Sequence, residues 1–296
     1  MELPVNNSNS LSFDGQDDYV DFGNSSDFDF SNSPLTVICW VNIDAVNSID
    51  GIISKNETFN HGWWLSSISS SSSWSNPNTF SFAGAPSNSN YYGTHASLIF
   101  NNWVNISATH INGEQKLYVN GQLMDQDSHQ FNLYNSATSL LVGKKLGDTY
   151  FDGLIDDVHI WNKALTQSEI QNYMSCPPSG NEAGLVGYWN FNEGSGGTVT
   201  DLTSNGNNGT INGASWSTQT PTQICNNCTA SDSVVVNVNA TIPIDLGADT
   251  TLICDGSSLI LDAGSGFSSY LWSDASTSQT LDVSTAGTYN VTATDA

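Results

Sequence analysis

Between residues 63 and 95 the chain gathers side chains suited to holding a sugar. Trp63, Trp64, Trp74, Tyr91 and Tyr92 offer flat aromatic faces for its C–H side, while Asn76, Asn78, Asn88, Asn90 and His95 can hydrogen-bond its hydroxyls. Trp74 and the Tyr91–Tyr92 pair stand out because Ser and Asn surround them. The interval 65–96 is Ser/Asn-rich, as long surface loops are, and loops carry function more often than scaffolds do. The other reading of that interval is a disordered serine insertion. Trp40, Trp103, Trp161 and Trp189 lie in apolar strand patterns and are assigned to the core.

Acidic groups dominate the charge. There are 29 Asp and Glu against 5 Lys and Arg, all of them Lys, for a formal charge of −24. Nucleic acid is excluded as a partner, because its binding rests on cationic side chains neutralising phosphates. Anionic lipid surfaces are disfavoured on the same grounds. Solubility in salty surroundings accounts for such acidity, and divalent cations offsetting part of it are the sharper alternative. In FDGQDD, Asp14, Asp17 and Asp18 are close enough to share calcium, an ion that takes six to eight oxygens. Equally, they could cap turns and face water.

Catalytic signatures are absent. There is no H-E-x-x-H, no G-x-S-x-G and no phosphate loop, and the five histidines (61, 95, 110, 129, 159) are scattered. The reading is that this is not an enzyme. Among the cysteines, Cys39 sits in an apolar strand and reads as a buried thiol. Cys225 and Cys228 form a lone C-x-x-C, too few ligands for zinc, so disulfides outside the cytoplasm fit better. A bridge between Cys176 and Cys225 would close the ends of the segment between them; the pairing of Cys228 and Cys254 stays open.

These residues need elements to hold them, and β-branched runs broken by Asn, Ser, Gly and Asp predict an all-β chain. Asn112-Gly113 and Asn120-Gly121 punctuate three strands as tight turns. The run from Leu146 to Met174 reads as a turn, an alternating strand and a short helix. Thr166 and Glu169 form a capping box at the helix start, and Ile170, Tyr173 and Met174 make its apolar face. No stretch approaches the ~20 apolar residues that span a bilayer, so no membrane insertion is expected. The opening residues lack the basic and apolar regions of a signal peptide, and the chain reads as a piece of something larger.

Three stretches, LSFDGQDDYVDF (11–22), WVNISATHINGEQKLYVNGQLM (103–124) and GDTYFDGLIDDVHIWNKALTQSEIQNYM (147–174), closely resemble bacterial LamG-like jelly rolls, relatives of the concanavalin-type lectins and glucanases. The resemblance implies a jelly-roll β-sandwich over 1–217. In that family the element matching 184–217 comes before the LSFDG strand, so a circular permutation is expected; a second, truncated sandwich starting at 184 is the alternative. Tyr188–Phe191 should then pair within the same sandwich, with Val186 and Tyr188 on one side and Leu185, Gly187, Trp189 and Phe191 on the other. Residues 218–239 read as a connecting strand. The short strands of 240–296 resemble a truncated Ig-like repeat of secreted Bacteroidetes surface proteins, with Trp272 in its core and Tyr289 at its corner.

The resemblance also bears on chemistry. Retaining glucanases of the superfamily place two glutamates within about five residues. No two of the six glutamates here are closer than eleven residues, so that machinery is missing. In many relatives an Asp near the final strand and groups from the first strand hold a structural calcium. Asp156 matches that Asp, with Asn192 or Glu193 and the carbonyl near Gly209 on the other side; Asp14 belongs to the rim alternative. The reading is a non-catalytic, calcium-stabilised carbohydrate-binding or adhesion module, extracellular or at the cell surface. Its partners would be a glycan or polysaccharide and neighbouring domains of a longer chain. A structural spacer or protein-binding unit is the alternative, and a remote glycoside hydrolase the third.

Overall fold

The computed structural model describes the chain apart from residues 1–2, 5–6, 32, 48, 59–60, 70–76, 86–91, 129–132, 134–135, 146, 226–230, 234–245, 247–249, 253–255 and 295–296. In chain order the strands are β1 Leu3–Pro4, β2 Ser10–Asp14, β3 Tyr19–Asp21, β4 Leu35–Ala45, β5 Ile49–Thr58, β6 His61–Ile68, β7 Thr79–Ala85, β8 Tyr92–Ser97, β9 Trp103–Ile111, β10 Glu114–Val119, β11 Gln122–Asp127, β12 Leu141–Val142, β13 Lys144–Lys145, β14 Thr149–Tyr150 and β15 Asp152–Trp161. The helix α1 (Gln167–Ser175) follows, then β16 Leu185–Trp189, β17 Thr198–Val199, β18 Gly209–Asn212 and β19 Ser215–Ser217. Residues divide into two compact units, Val5–Gln223 on the one hand and Met1–Pro4 with Ile224–Ala296 on the other.

The larger unit is an all-β jelly-roll sandwich. One sheet runs β11-β10-β9-β4-β15-β2-β19, with β16 also on β15; the other runs β17-β18-β3-β12-β5-β6-β7-β8 and takes in β13 and β14. Alternation decides what lies between them. Val37, Cys39, Val41 and Ile43 of β4 meet Ile53, Leu65, Phe80 and Phe82 of the opposite sheet in one core. The reversals after β9 and β10 need left-handed backbone, supplied by Asn112 (φ 50) with Gly113 (φ 83) and Asn120 (φ 48) with Gly121 (φ 68). The helix begins as expected, with Thr166 at its N-cap and Glu169 completing the capping box. Ile170 buries against Trp161, Leu165, Leu185 and Tyr188, which holds α1 on the outer side of the first sheet.

Residues 184–217 join both sheets. Tyr188 pairs with His159, Ile211 with Val20, and Trp216 with Leu11. This is the spatial arrangement that a permuted strand requires. One detail differs from expectation. Leu185 and Tyr188 share the helix-side cluster, whereas Val186, Trp189 and Phe191 face the inter-sheet core. A register shift between Ile160 and Trp161 inserts an extra residue into β16, which breaks the period-two alternation. All five residues of β16 are buried, so polarity gave no sign of it.

Cys176 and Cys225 are joined in a disulfide, and Cys39 is a buried free thiol. In the smaller unit β1 pairs with Ile224–Cys225, Leu259–Asp262 with Thr280–Val283, and Ser269–Trp272 with Val291–Thr294. Trp272 is buried among Leu261, Val283 and Val291, and the Tyr289 hydroxyl donates to the Thr285 carbonyl at 2.8 Å.

Candidate functional site

The interval 65–96, expected as a long surface loop, instead carries the end of β6, all of β7 and most of β8, and the structure also corrects two of the expected aromatics. Trp63 points into the core between Phe30 and Phe82, at ring separations of 6.2 and 6.4 Å, and is 2% exposed. Trp64 points to the opposite side of the sheet but is 1% exposed, with the Lys145 ammonium 5.1 Å from its ring centre. Burial pulls that lysine down to a pKa of about 8. Neither indole presents a face to a ligand. The polar groups flanking Trp64 on its own side, the Asn56 amide and the Ser66 hydroxyl, are buried too and meet no protein partner. His95 is half-buried in β8. Its backbone N–H donates to Asp125 Oδ2 at 2.8 Å, while its Nδ1 has no partner. Burial lowers the ring's pKa, and Asp125 opposes that shift. Tyr92 is seen only through its backbone pairing with Gly84, and Trp74, Asn76 and Tyr91 lie outside the described residues.

The expected metal ligands each meet protein groups. Asn192 Oδ1 accepts from Ser8 N at 2.7 Å and from Asn9 N at 3.1 Å, fastening the N-terminal segment. Glu193 Oε1 accepts from Thr200 N at 2.7 Å. Gly209 pairs with Val199 and leaves room for Phe22, which a β-carbon would strike at 2.5 Å. Each of the three thus has a structural role of its own. Asp14 does share a corner with Asp17 and Asp18, their carboxylate oxygens within 4.8 Å of one another, while also accepting from Gln16 N.

Asp156 gathers different partners. It is fully buried on β15, and the pairing with β4 shifts register between Asp156 and His159, where Asp157 adopts a left-handed φ of 47. Asn7 Nδ2 donates to Asp156 Oδ2 and the Asp157 N–H to Asp156 Oδ1, both at 2.8 Å. Tyr188 donates to Asp157 Oδ1 at 2.8 Å, and Gln223 lies within 3.4 Å of Asn7. Two buried oxygens, Asp157 Oδ2 and Asn7 Oδ1, have no protein partner. Burial, and then the neighbouring Asp157 charge, push the Asp156 carboxyl well above the usual range; burial raises Asp157 as well. Two adjacent buried acids with unfilled acceptors form an all-oxygen set of the kind a hard cation fits. Nearby His159 accepts from the Trp161 indole at Nδ1 (2.9 Å), and burial drives its pKa to about 3, so it is a neutral structural ring. The register shift and the N-terminal Asn7 had no signature in the sequence pattern; only the DD pair itself was visible.

Residues 14–171 match Laminin_G_3, a family of the concanavalin A-like lectin/glucanases superfamily. No curated protein matches the sequence. Among solved structures, a Bacteroides ovatus protein described as a carbohydrate binder aligns with a TM-score of 0.60 at 19% identity, over 75% of this chain and 63% of that one. Domain 4 of an extracellular arabinanase from Geobacillus stearothermophilus, solved with arabinotriose, aligns at 0.41 and 20% identity, over 49% and 68%. A Limulus polyphemus pentraxin aligns at 0.44 and 16% identity, over 59% and 87%. The first likeness shows the fold. This chain spans under two thirds of that protein's length.

Proposed function

The chain belongs to the Laminin_G_3 family of the concanavalin A-like lectin/glucanases superfamily, and from that premise we propose that it is a non-catalytic carbohydrate-binding module. The observation that carries this reading is the sandwich itself, shared with the B. ovatus protein described as a carbohydrate binder. Lack of closely spaced glutamates, together with a buried and neutral His159, supports binding without hydrolysis. The Cys176–Cys225 disulfide supports an extracellular or cell-surface setting. Residues 240–296 fit an Ig-like neighbour within a longer protein. A glycan array run with the whole chain tests the reading: retention of defined glycans without release of reducing sugar is the expected result. Reducing-sugar release would favour a glycosidase, and capture of protein ligands alone a spacer or protein-binding unit.

Calcium is the proposed structural ion, held by Asp156, Asp157, Asn7 and Gln223. When bound it would neutralise the carboxylate pair and tie the N-terminal segment to β15. A site at hundredfold saturation stabilises the fold by about 2.7 kcal/mol. Melting with calcium and with chelator should show that rise in the natural chain and in the exposed control Asp282→Asn, but not in Asp156→Asn. A full rise in Asp156→Asn would place the ion elsewhere, with the Asp14–Asp17–Asp18 corner next in line.

A further inference from the structure

Opposite the core, the first sheet carries a patch that apolar strand patterns concealed. On β4 the core-facing residues are Val37, Cys39, Val41 and Ile43, which leaves Trp40 and Asn42 on the other side. The register then builds two rows. Asn42 lies between Trp103 of β9 and Leu154 of β15, and Trp40 between Asn105 and Asp156. Trp and Asn therefore alternate in a checkerboard, with diagonal neighbours about 7–8 Å apart. Trp40, Asn42 and Trp103 are half-buried and open to solvent, whereas Asn105 is fully buried.

Three buried polar atoms in this patch meet no protein group: Trp40 Nε1, Asn42 Oδ1 and Asn105 Nδ2. Asn105 spends its other end on Ser107, whose hydroxyl donates to Asn105 Oδ1 at 2.9 Å, so the amide is oriented with Nδ2 left over. Folded proteins leave few such atoms unsatisfied, because each has given up water without compensation. Here they cluster on two adjacent, well-paired strands, β4 and β9, as donor, acceptor and donor beside two indole faces. An apolar partner would satisfy none of them. An added β-strand needs a free sheet edge, and β4 is central. A sugar ring offers what fits: hydroxyls that both donate and accept, on a ring with C–H faces that stack on indole. Around the patch on β4 and β15 lie the carboxylates of Asp44 and Asp152, which would repel an acidic ligand.

We propose that Trp40, Asn42, Trp103 and Asn105 form the glycan-binding surface and that its ligand is a neutral oligosaccharide; this rests on the carbohydrate-binding reading above. The test uses the full chain on an array of neutral, uronic-acid and sialylated glycans, followed by calorimetry with the strongest binder. Trp103→Ala should weaken binding about tenfold or more, and Trp40→Phe, which keeps a ring but removes the indole N–H, by several fold. Trp216→Ala, on β19 away from the patch, should leave binding unchanged. Melting curves check that each variant is folded, and the conservative Trp40→Phe carries the test if Trp103→Ala is not. Unchanged binding in the folded patch variants, or retention of acidic glycans only, would overturn the proposal while leaving the glycan-binding reading standing. An array that retains no glycan would remove both.

Discussion

Two pairs of tryptophans trade places between sequence and structure. Trp63 and Trp64, on a strand that runs into a Ser/Asn-rich interval, look like a ligand surface, yet both are buried, one in the core and one beneath Lys145. Trp40 and Trp103 sit in apolar strand patterns and look like core, yet both are half-open on the outer face of the first sheet. Polarity along the chain reports what a residue's sequence neighbours are. Exposure depends on what covers its face of the sheet, and adjacent residues of a strand face opposite ways. The two regions differ also in how their unpaired polar atoms are placed: those beside Trp64 are closed in, while those beside Trp40 lie under a surface that solvent reaches.

The largest expected effect separates the two pairs by stability. Trp63→Ala removes a ring packed against Phe30 and Phe82 and should cost about 3–5 kcal/mol in denaturant unfolding. If that variant unfolds like the natural chain, Trp63 is not the core residue described here. Next in size is the disulfide. Cys176→Ser opens a loop of about fifty residues and should lower stability by about 4 kcal/mol or somewhat less, without touching either tryptophan pair. A loss of glycan binding in folded Cys176→Ser would tie the open patch to the disulfide, which the structure does not.

The third effect depends on pH. His159 has a folded pKa of about 3 against an ordinary value of 6.5, because burial disfavours its charged form. Between those values the unfolded chain binds a proton that the folded chain does not. Stability should therefore fall as pH drops from about 6.5, by roughly 1.4 kcal/mol per unit relative to a His159→Gln variant. The buried Asp156 and Asp157 pull the other way, since their raised pKa values favour the folded state as they protonate, so the difference between the two proteins is the quantity to measure. Parallel profiles would mean that His159 charges freely in the folded state. The smallest effect closes the comparison: Trp103→Ala should cost under about 1 kcal/mol of stability, as a half-exposed ring would, while changing glycan binding far more than its melting temperature. A cost near that of Trp63→Ala would return Trp103 to the core.

Much of the scaffold was legible from local chemistry. The capping box at Thr166 and Glu169 and the Asn-Gly turns both act within a few residues, and the structure reproduces each of them. The Cys176–Cys225 bridge could be read from its position at the two ends of one segment. By itself, then, the sequence determined an all-β sandwich, its capped helix and its lack of paired catalytic glutamates, while β7 and β8 hid within a Ser/Asn-rich interval. Tertiary structure alone decided the rest. The register shifts in β15 and β16 re-aimed Asp157 and Tyr188, and pairing across strands far apart in sequence brought Asn7 and Gln223 to Asp156 and set Trp40 beside Asn105. Which face of a sheet stays open follows from long-range covering, and neither composition nor periodicity within a strand encodes that.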